Sequence, residues 1–157
     1  MIESTRLDAR RYAFPGSSLS TRLINVVDPE VLRDRLELEA FRHARYLSGF
    51  GLVRLRSFDE EARSALEEAA VTETRCTDAV ALLLDATLAV LVTNADEDAC
   101  RTVASRLLDV ACELLGDPYA RQRFVVGMAA AGQRRLGADE VWDEAARALA
   151  NAVRLQS

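Results

Sequence analysis

Lysine is absent from this chain: all twenty basic residues are arginine, set against 25 acidic ones for a net charge of −5. The uniform use of arginine reads as the base composition of the gene, and no function is read into it. The negative balance excludes wholesale binding to a nucleic acid backbone. Cysteine is sparse as well. Cys76, Cys100 and Cys112 show no CxxC spacing and His43 is the single histidine, which excludes a disulfide framework and a structural zinc site. No apolar run reaches the roughly eighteen residues that span a bilayer. Met1 to Ser20 lacks an apolar signal core, so a cytoplasmic protein without a membrane partner is expected. A chain of 157 residues suits one domain with a real core.

What is present has the patterning of an α+β domain. Residues 1–22 are polar, broken by Pro15-Gly16-Ser17-Ser18, and are expected to form a flexible arm ahead of a single domain over 23–157. Asp28-Pro29-Glu30 predicts a helix start, and Val31, Leu32, Leu36, Leu38, Phe41 and Leu47 carry the helix to Ser48-Gly49. Phe50 to Phe58 alternates as a strand, with Val53 and Leu55 on one face and Leu52, Arg54 and Arg56 on the other. A second helix is expected over Asp59 to Val71. Val80 to Leu84 and Thr87 to Val92 flank Asp85-Ala86, the pattern of a hairpin of buried strands; periodicity alone fits one buried helix equally. A long helix follows the acidic Asn94 to Asp98, running through Val103, Leu107, Val110 and Leu114 to Gly116-Asp117-Pro118. Phe124 to Ala129 predicts a strand, and a last helix starts near Asp139 and runs through Val141, Trp142, Ala145, Leu149 and Val153. A helix followed by β-α-β-β-α-β and a closing helix is a split βαβ order. It implies a central, mainly antiparallel sheet flanked by helices, expected mainly on one face.

This order, from about Leu23 to Val153, resembles the GGDEF (diguanylate cyclase) domain in degenerate form. Leu84-Asp85-Ala86-Thr87-Leu88 stands where that family carries its Gly-Gly-Asp/Glu-Glu-Phe turn. Asn94 to Ala99 with Val103 to Leu107 is similar to its acidic loop and following helix. Val125 to Ala129 is similar to its Ser-Ile-Gly-Val-Ala strand, and Ala145 to Ala152 to its closing helix. Leu23 to Asp28 falls where the entry motif would be, heavily eroded.

The resemblance also implies what is missing. The family's cyclases hold divalent cations on acids of the first strand and the signature turn. Arg54 stands at the first-strand position and Arg56 at the neighbouring acidic one, reversing the charge a cation needs. Ala86 and Thr87 bring no carboxylate to the turn, and Leu84 and Asp85 replace its paired glycines. The family's guanine-contacting segment has no counterpart, because Phe58 passes straight into Asp59-Glu60-Glu61. The expectation is a protein that is not an enzyme and needs no magnesium.

Many family members also bind their product, cyclic di-GMP, through an Arg-x-x-Asp ahead of the signature and an Arg on the helix after it. Arg75, Asp78 and Arg106 fall in that register. An Arg fork takes guanine O6 and N7 or a phosphate, and Asp accepts from the guanine N–H edge. Composition alone predicts about 1.5 Arg-x-x-Asp matches. Three occur, at Arg56/Asp59, Arg75/Asp78 and Arg106/Asp109. The motif alone is therefore uninformative, whereas filling all three registered positions by chance has a probability on the order of 0.001. Two readings follow: a cyclic di-GMP receptor acting through a regulatory protein or a homodimer, and a nucleotide-free interaction or dimerisation scaffold. Ordinary surface ion pairs would explain the same three residues under the second. His43 is expected as a surface or partly buried helix residue, Cys100 and Cys112 as packing residues, and Cys76 as a small silent side chain. Trp142 is expected to anchor a helix to the sheet. A solvated strand face and an anion site explain Arg54 and Arg56 equally well.

Overall fold

The computed structural model describes residues 26–73, 78–132 and 135–156. The whole of the expected arm, Arg75 and Cys76 lie outside them. The elements are α1 (Pro29–Tyr46), β1 (Phe50–Ser57), α2 (Glu60–Glu73), β2 (Ala79–Leu82) and β3 (Leu88–Thr93). They continue with α3 (Glu97–Leu115), a 3₁₀ turn (Ala120–Arg123), β4 (Phe124–Ala131) and α4 (Ala138–Gln156). The order agrees with the sequence reading, and the 3₁₀ turn is an addition to it.

The four strands form one sheet in the order β2-β3-β1-β4 with every neighbouring pair antiparallel, the split βαβ topology. β1 is central and apolar on both faces. Val53 and Leu55 pack with α2 and α3 residues such as Leu66, Ala69, Ala104 and Leu107. Phe50 and Leu52 pack with Leu32 and Leu36 of α1 and Val141 and Ala145 of α4. The expectation of helices mainly on one face is corrected: two helices cover each side. Leu52, on the Arg face, belongs to this second core rather than to a polar surface.

Local chemistry sets the element ends. Asp28 holds an extended N-cap conformation and Pro29 opens α1, although the Asp28 side chain makes no capping bond. Leu47 takes the left-handed conformation that ends α1 (φ 57), two residues before the expected Gly49. Gly49 serves another purpose: a Cβ there would lie 2.4 Å from the Ala95 carbonyl oxygen. Asp96 caps α3 by accepting from the Ala99 N–H at 2.8 Å, and Gly116 closes it in the left-handed region.

The stretch around Asp85 and Ala86 is a hairpin and not a helix. The Leu83 N–H donates to Thr87 O at 2.8 Å and the Ala86 N–H to Leu83 O at 3.0 Å, enclosing a three-residue loop with Ala86 at φ 63. Asp85 Oδ1 accepts from the Thr87 N–H at 3.2 Å, which fixes the turn from inside.

Gly127 lets α4 lie against β4. A Cβ there would meet Leu149 N at 2.2 Å, Leu149 Cα at 2.6 Å and Ala145 O at 2.8 Å. Among the described residues no helix is long and apolar enough to cross a membrane.

Candidate functional site

Arg54 sits midway along β1, opposite Ala89 on β3 and Gly127 on β4. These two small neighbours leave space beside the strand on the α1/α4 side of the sheet. The side chain fills it and is only 5% exposed, so the solvated-face reading of Arg54 is corrected, while Arg56 is exposed as that reading expects. The Arg54 guanidinium carbon lies 4.5 Å from the centroid of the Trp142 ring on α4, and that of Arg33 on α1 lies 4.6 Å from it. Both are cation–π contacts, and two positive charges share one indole. Arg33 also pairs with Asp139 at the start of α4. Trp142 does anchor its helix to the sheet, packing against the α1/α4-side core and over the Arg54 guanidinium. Among the described residues no acceptor reaches Arg54 Nε or Nη2, although both atoms are buried. Burial disfavours the charged form and lowers the Arg54 pKa; the Asp85 carboxylate raises it, Arg33 lowers it and Asp143 raises it.

The hairpin tip lies near enough for the Asp85 carboxylate to act on Arg54 through space. Leu84, Asp85 and Ala86 are exposed, and Thr87 is buried. Leu84 and Asp85 carry side chains where the signature turn would have glycines, and Asp85 is committed to the turn. Among the described residues there is no group of three or more His, Cys, Asp or Glu side chains arranged to hold a metal ion. A buried guanidinium at the centre of the sheet is a poor neighbour for a divalent cation, since like charges repel most where water is excluded.

The residues singled out for ligand binding are placed unequally. Asp78 leads into β2 and is 1% exposed, and its Oδ1 accepts from the Thr93 N–H at 3.3 Å. That bond ties the start of β2 to the end of β3. Arg106 is exposed on α3. Arg75 lies outside the described residues. The other two Arg-x-x-Asp matches are ordinary: Asp59 pairs with Arg123 and Asp109 with Arg121. A cavity of about 330 Å³ opens between α1 and residues of β2 and β3. Arg35, Glu39, Arg42, Thr93 and Asn94 are among its lining residues.

Two arrangements escaped the sequence reading. His43 is 1% exposed, deeper than expected, stacked edge-on against Phe50 with Nδ1 3.0 Å from Ser48 O. Its position beside the αL end of α1 makes it structural. Arg123 forks onto Asp59 at 2.8 and 2.6 Å and reaches Glu61 at 2.8 Å. Hydrogen bonds from Arg123 and from the Ala62 N–H hold the Asp59 carboxyl at about 2. Cys100 packs as expected, seated over Gly51, where a Cβ would lie 2.2 Å from its Sγ. Burial pushes its thiol up to about 12, which removes it as a nucleophile.

No family model matches the sequence, and no curated protein matches it. Solved structures do match the fold. The GGDEF domain of FimX from Pseudomonas aeruginosa superposes with a TM-score of 0.68 at 12% identity, over 84% of this chain and 92% of that one. The GGDEF domain of DgcB from Caulobacter crescentus, solved in complex with c-di-GMP, superposes with 0.65 at 12% identity, over 83% and 84%. The diguanylate cyclase SiaD from Pseudomonas aeruginosa, solved in complex with its activator SiaC, superposes with 0.67 at 15% identity, over 99% of this chain and 64% of that one. These likenesses agree with the strand order, the hairpin and the two helix layers, and this chain has the fold of the GGDEF domains.

Proposed function

We propose that this chain is a GGDEF-fold module that does not condense GTP and serves as a receptor for cyclic di-GMP, passing the signal on through a regulatory protein or a second copy of itself. The observation that carries the first half is Arg54: a buried guanidinium stands on β1 where the resemblance calls for a metal-holding acid. A divalent cation does not fit beside it, and the turn residues Ala86 and Thr87 offer no carboxylate to compensate. On this reading magnesium has no part in the protein's chemistry.

The receptor half rests on register. Arg75 and Arg106 are assigned to guanine or phosphate oxygens as charge-assisted forks, and Asp78 to the guanine N–H edge. A GGDEF domain of the same fold has been solved with c-di-GMP bound, and another protein that contains the fold with a protein activator. One observation favours the scaffold reading instead. The Asp78 carboxylate is buried and engaged by the Thr93 N–H, a role the fold needs without any ligand. Isothermal titration with cyclic di-GMP separates the two. The receptor reading expects saturable heat from the wild type, weakened roughly ten- to a hundredfold in Arg75→Ala and Arg106→Ala by loss of a contact worth about 1.5–3 kcal/mol. Absence of heat at high micromolar ligand overturns the receptor reading.

A further inference from the structure

The two edges of the sheet differ. The edge strand β2 has only four residues, and the chain itself begins to close it: Val26 bridges Val80 in parallel, and the Val27 N–H donates to Val80 O at 2.8 Å. The other edge strand, β4, has eight residues and carries no charge and no proline. The Phe58 N–H donates to Arg123 O at 3.0 Å, on the ladder that continues with Arg56 opposite Val125 and Arg54 opposite Gly127. Alternation along an antiparallel pair therefore turns the backbone groups of Val125, Gly127 and Ala129 toward β1, and those of Val126, Met128 and Ala130 outward. The Phe124 N–H is taken by Arg121 O. Among the described residues nothing bonds the outward groups of Val126, Met128 and Ala130, and β1 is the only strand beside β4. Long uncharged edges invite pairing, and folded proteins ordinarily shorten, charge or cover them.

We propose that a second copy of this chain docks antiparallel on the outer edge of β4, joining two four-stranded sheets across a two-fold axis at Gly127. In that register Val126 exchanges hydrogen bonds with Met128 of the partner subunit, and Phe124 O accepts from the N–H of Ala130 of the partner subunit. Gly127 meets its own copy as a non-hydrogen-bonded pair, with the Cα atoms about 4.5 Å apart and no side chains between them. Two features favour a copy over an isolated peptide strand. The first is α4, which turns Trp142 toward Arg33 and Arg54. Helical periodicity puts Ala148 and Leu155 on the other flank of its buried stripe Val141-Ala145-Leu149, on the side of the free edge. Leu155 is 87% exposed and Ala148 half-buried. Ala148 is level with Gly127, because a Cβ on that glycine would lie 2.2 Å from Leu149 N. The axis therefore brings the two α4 helices side by side at a small residue, which a peptide strand would leave uncovered. The second feature is charge. Asp59, Glu61 and Asp117 surround Arg123 at the start of β4, a net negative cluster, and Arg135 is exposed beyond its end. Antiparallel pairing sets each cluster near the partner's Arg135. This interface gives a place to the second copy that the proposed function admits. It needs no ligand, so its failure leaves the cyclic di-GMP reading standing.

The test uses the full chain without nucleotide. Sedimentation equilibrium is expected to show a reversible monomer–dimer equilibrium at micromolar protein. Hydrogen exchange read by mass spectrometry at low and high protein concentration locates the interface. The peptide holding Val126, Met128 and Ala130 should gain protection as concentration rises, and the one over Ala79–Leu82 should not. Met128→Pro removes an outward N–H and leaves the β1 ladder its donors. Ala148→Arg sets two guanidinium groups against each other across the axis, from a helix position outside the strand, and guards against a fold defect in the proline variant. Each should weaken dimerisation roughly tenfold or more, with folding checked by circular dichroism. A monomer throughout the concentration range, a dimer whose β4 amides gain no protection, or dimerisation unaltered in folded Ala148→Arg each overturns the proposal.

Discussion

Replacing Gly127 with alanine tests the packing that seals the α1/α4 side of the sheet. The added methyl group would lie 2.2 Å from Leu149 N and 2.8 Å from Ala145 O, both backbone atoms of a nineteen-residue helix. No rotamer change relieves such a contact. An ordinary separation near 3.4 Å requires α4 to retreat by roughly 1.2 Å at that point, in a close-packed interior that tolerates little. Val141 and Ala145 are fully buried and Leu149 nearly so, and a retreating helix lifts all three from the sheet. Overpacking of this kind costs about 1–3 kcal/mol, and the opened contacts place this case at or above the upper end. Removing a glycine from a strand works the other way by only about 0.5–1 kcal/mol. With a net loss near 3 kcal/mol, the melting temperature should fall by roughly 10 °C. Gly132→Ala is the control, because an added methyl meets nothing within 4 Å there and stability should stay within about 0.5 kcal/mol. Thermal and urea melts followed by circular dichroism read both variants. Equal melting of the two would refute the placement of α4, and with it the Trp142 contact to Arg54.

Two further predictions concern titratable groups. The Asp59 carboxyl, held at about 2 by Arg123 instead of its usual value near 4, contributes stability that is fully present above about pH 4 and is lost as pH falls through about 2. Asp59→Asn should therefore melt below the wild type at pH 6 and level with it near pH 2. The gap should be small, since exposed pairs contribute about 0–1 kcal/mol, and a gap that widens in acid contradicts the pairing. Cys100, with its thiol pushed up to about 12 by burial, should resist an aromatic disulfide reagent at pH 8 in the native protein and react once urea unfolds it, as read by peptide mass spectrometry. Rapid native labelling at Cys100 would contradict its seat over Gly51.

Much of the architecture is legible in the residues because one-dimensional signals carry it. Asp28-Pro29 marks the start of α1, alternation marks β1, and an acidic cap followed by 3.6-residue periodicity marks α3. The hairpin's ambiguity ended in backbone bonds around Ala86 that no periodicity encodes. What stayed hidden depends on partners distant in sequence. Arg123 and Asp59 are 64 residues apart, so neither announces the other. Arg54 stayed open between a solvated face and an anion site because alternation assigns it a face without saying what covers that face. The covering group, Trp142 on α4, comes 88 positions later. Leu52 was the overlooked hint, an apolar side chain on the supposedly solvated side. His43 reads as an amphipathic-helix residue until Phe50 and the Ser48 carbonyl close over it. The candidate ligand site was legible only as a register; Asp78 and Arg106 lie on β2's lead-in and on α3, and the burial of Asp78 could not be foreseen from its motif.

The most direct test of the central claim is a product assay: the purified chain is incubated with GTP and either magnesium or manganese for several hours, and the nucleotides are then separated by chromatography. With Arg54 buried where the resemblance would place a metal-holding acid, neither cyclic di-GMP nor pyrophosphate should accumulate above the protein-free control. Cyclic di-GMP rising in proportion to protein concentration would contradict the account.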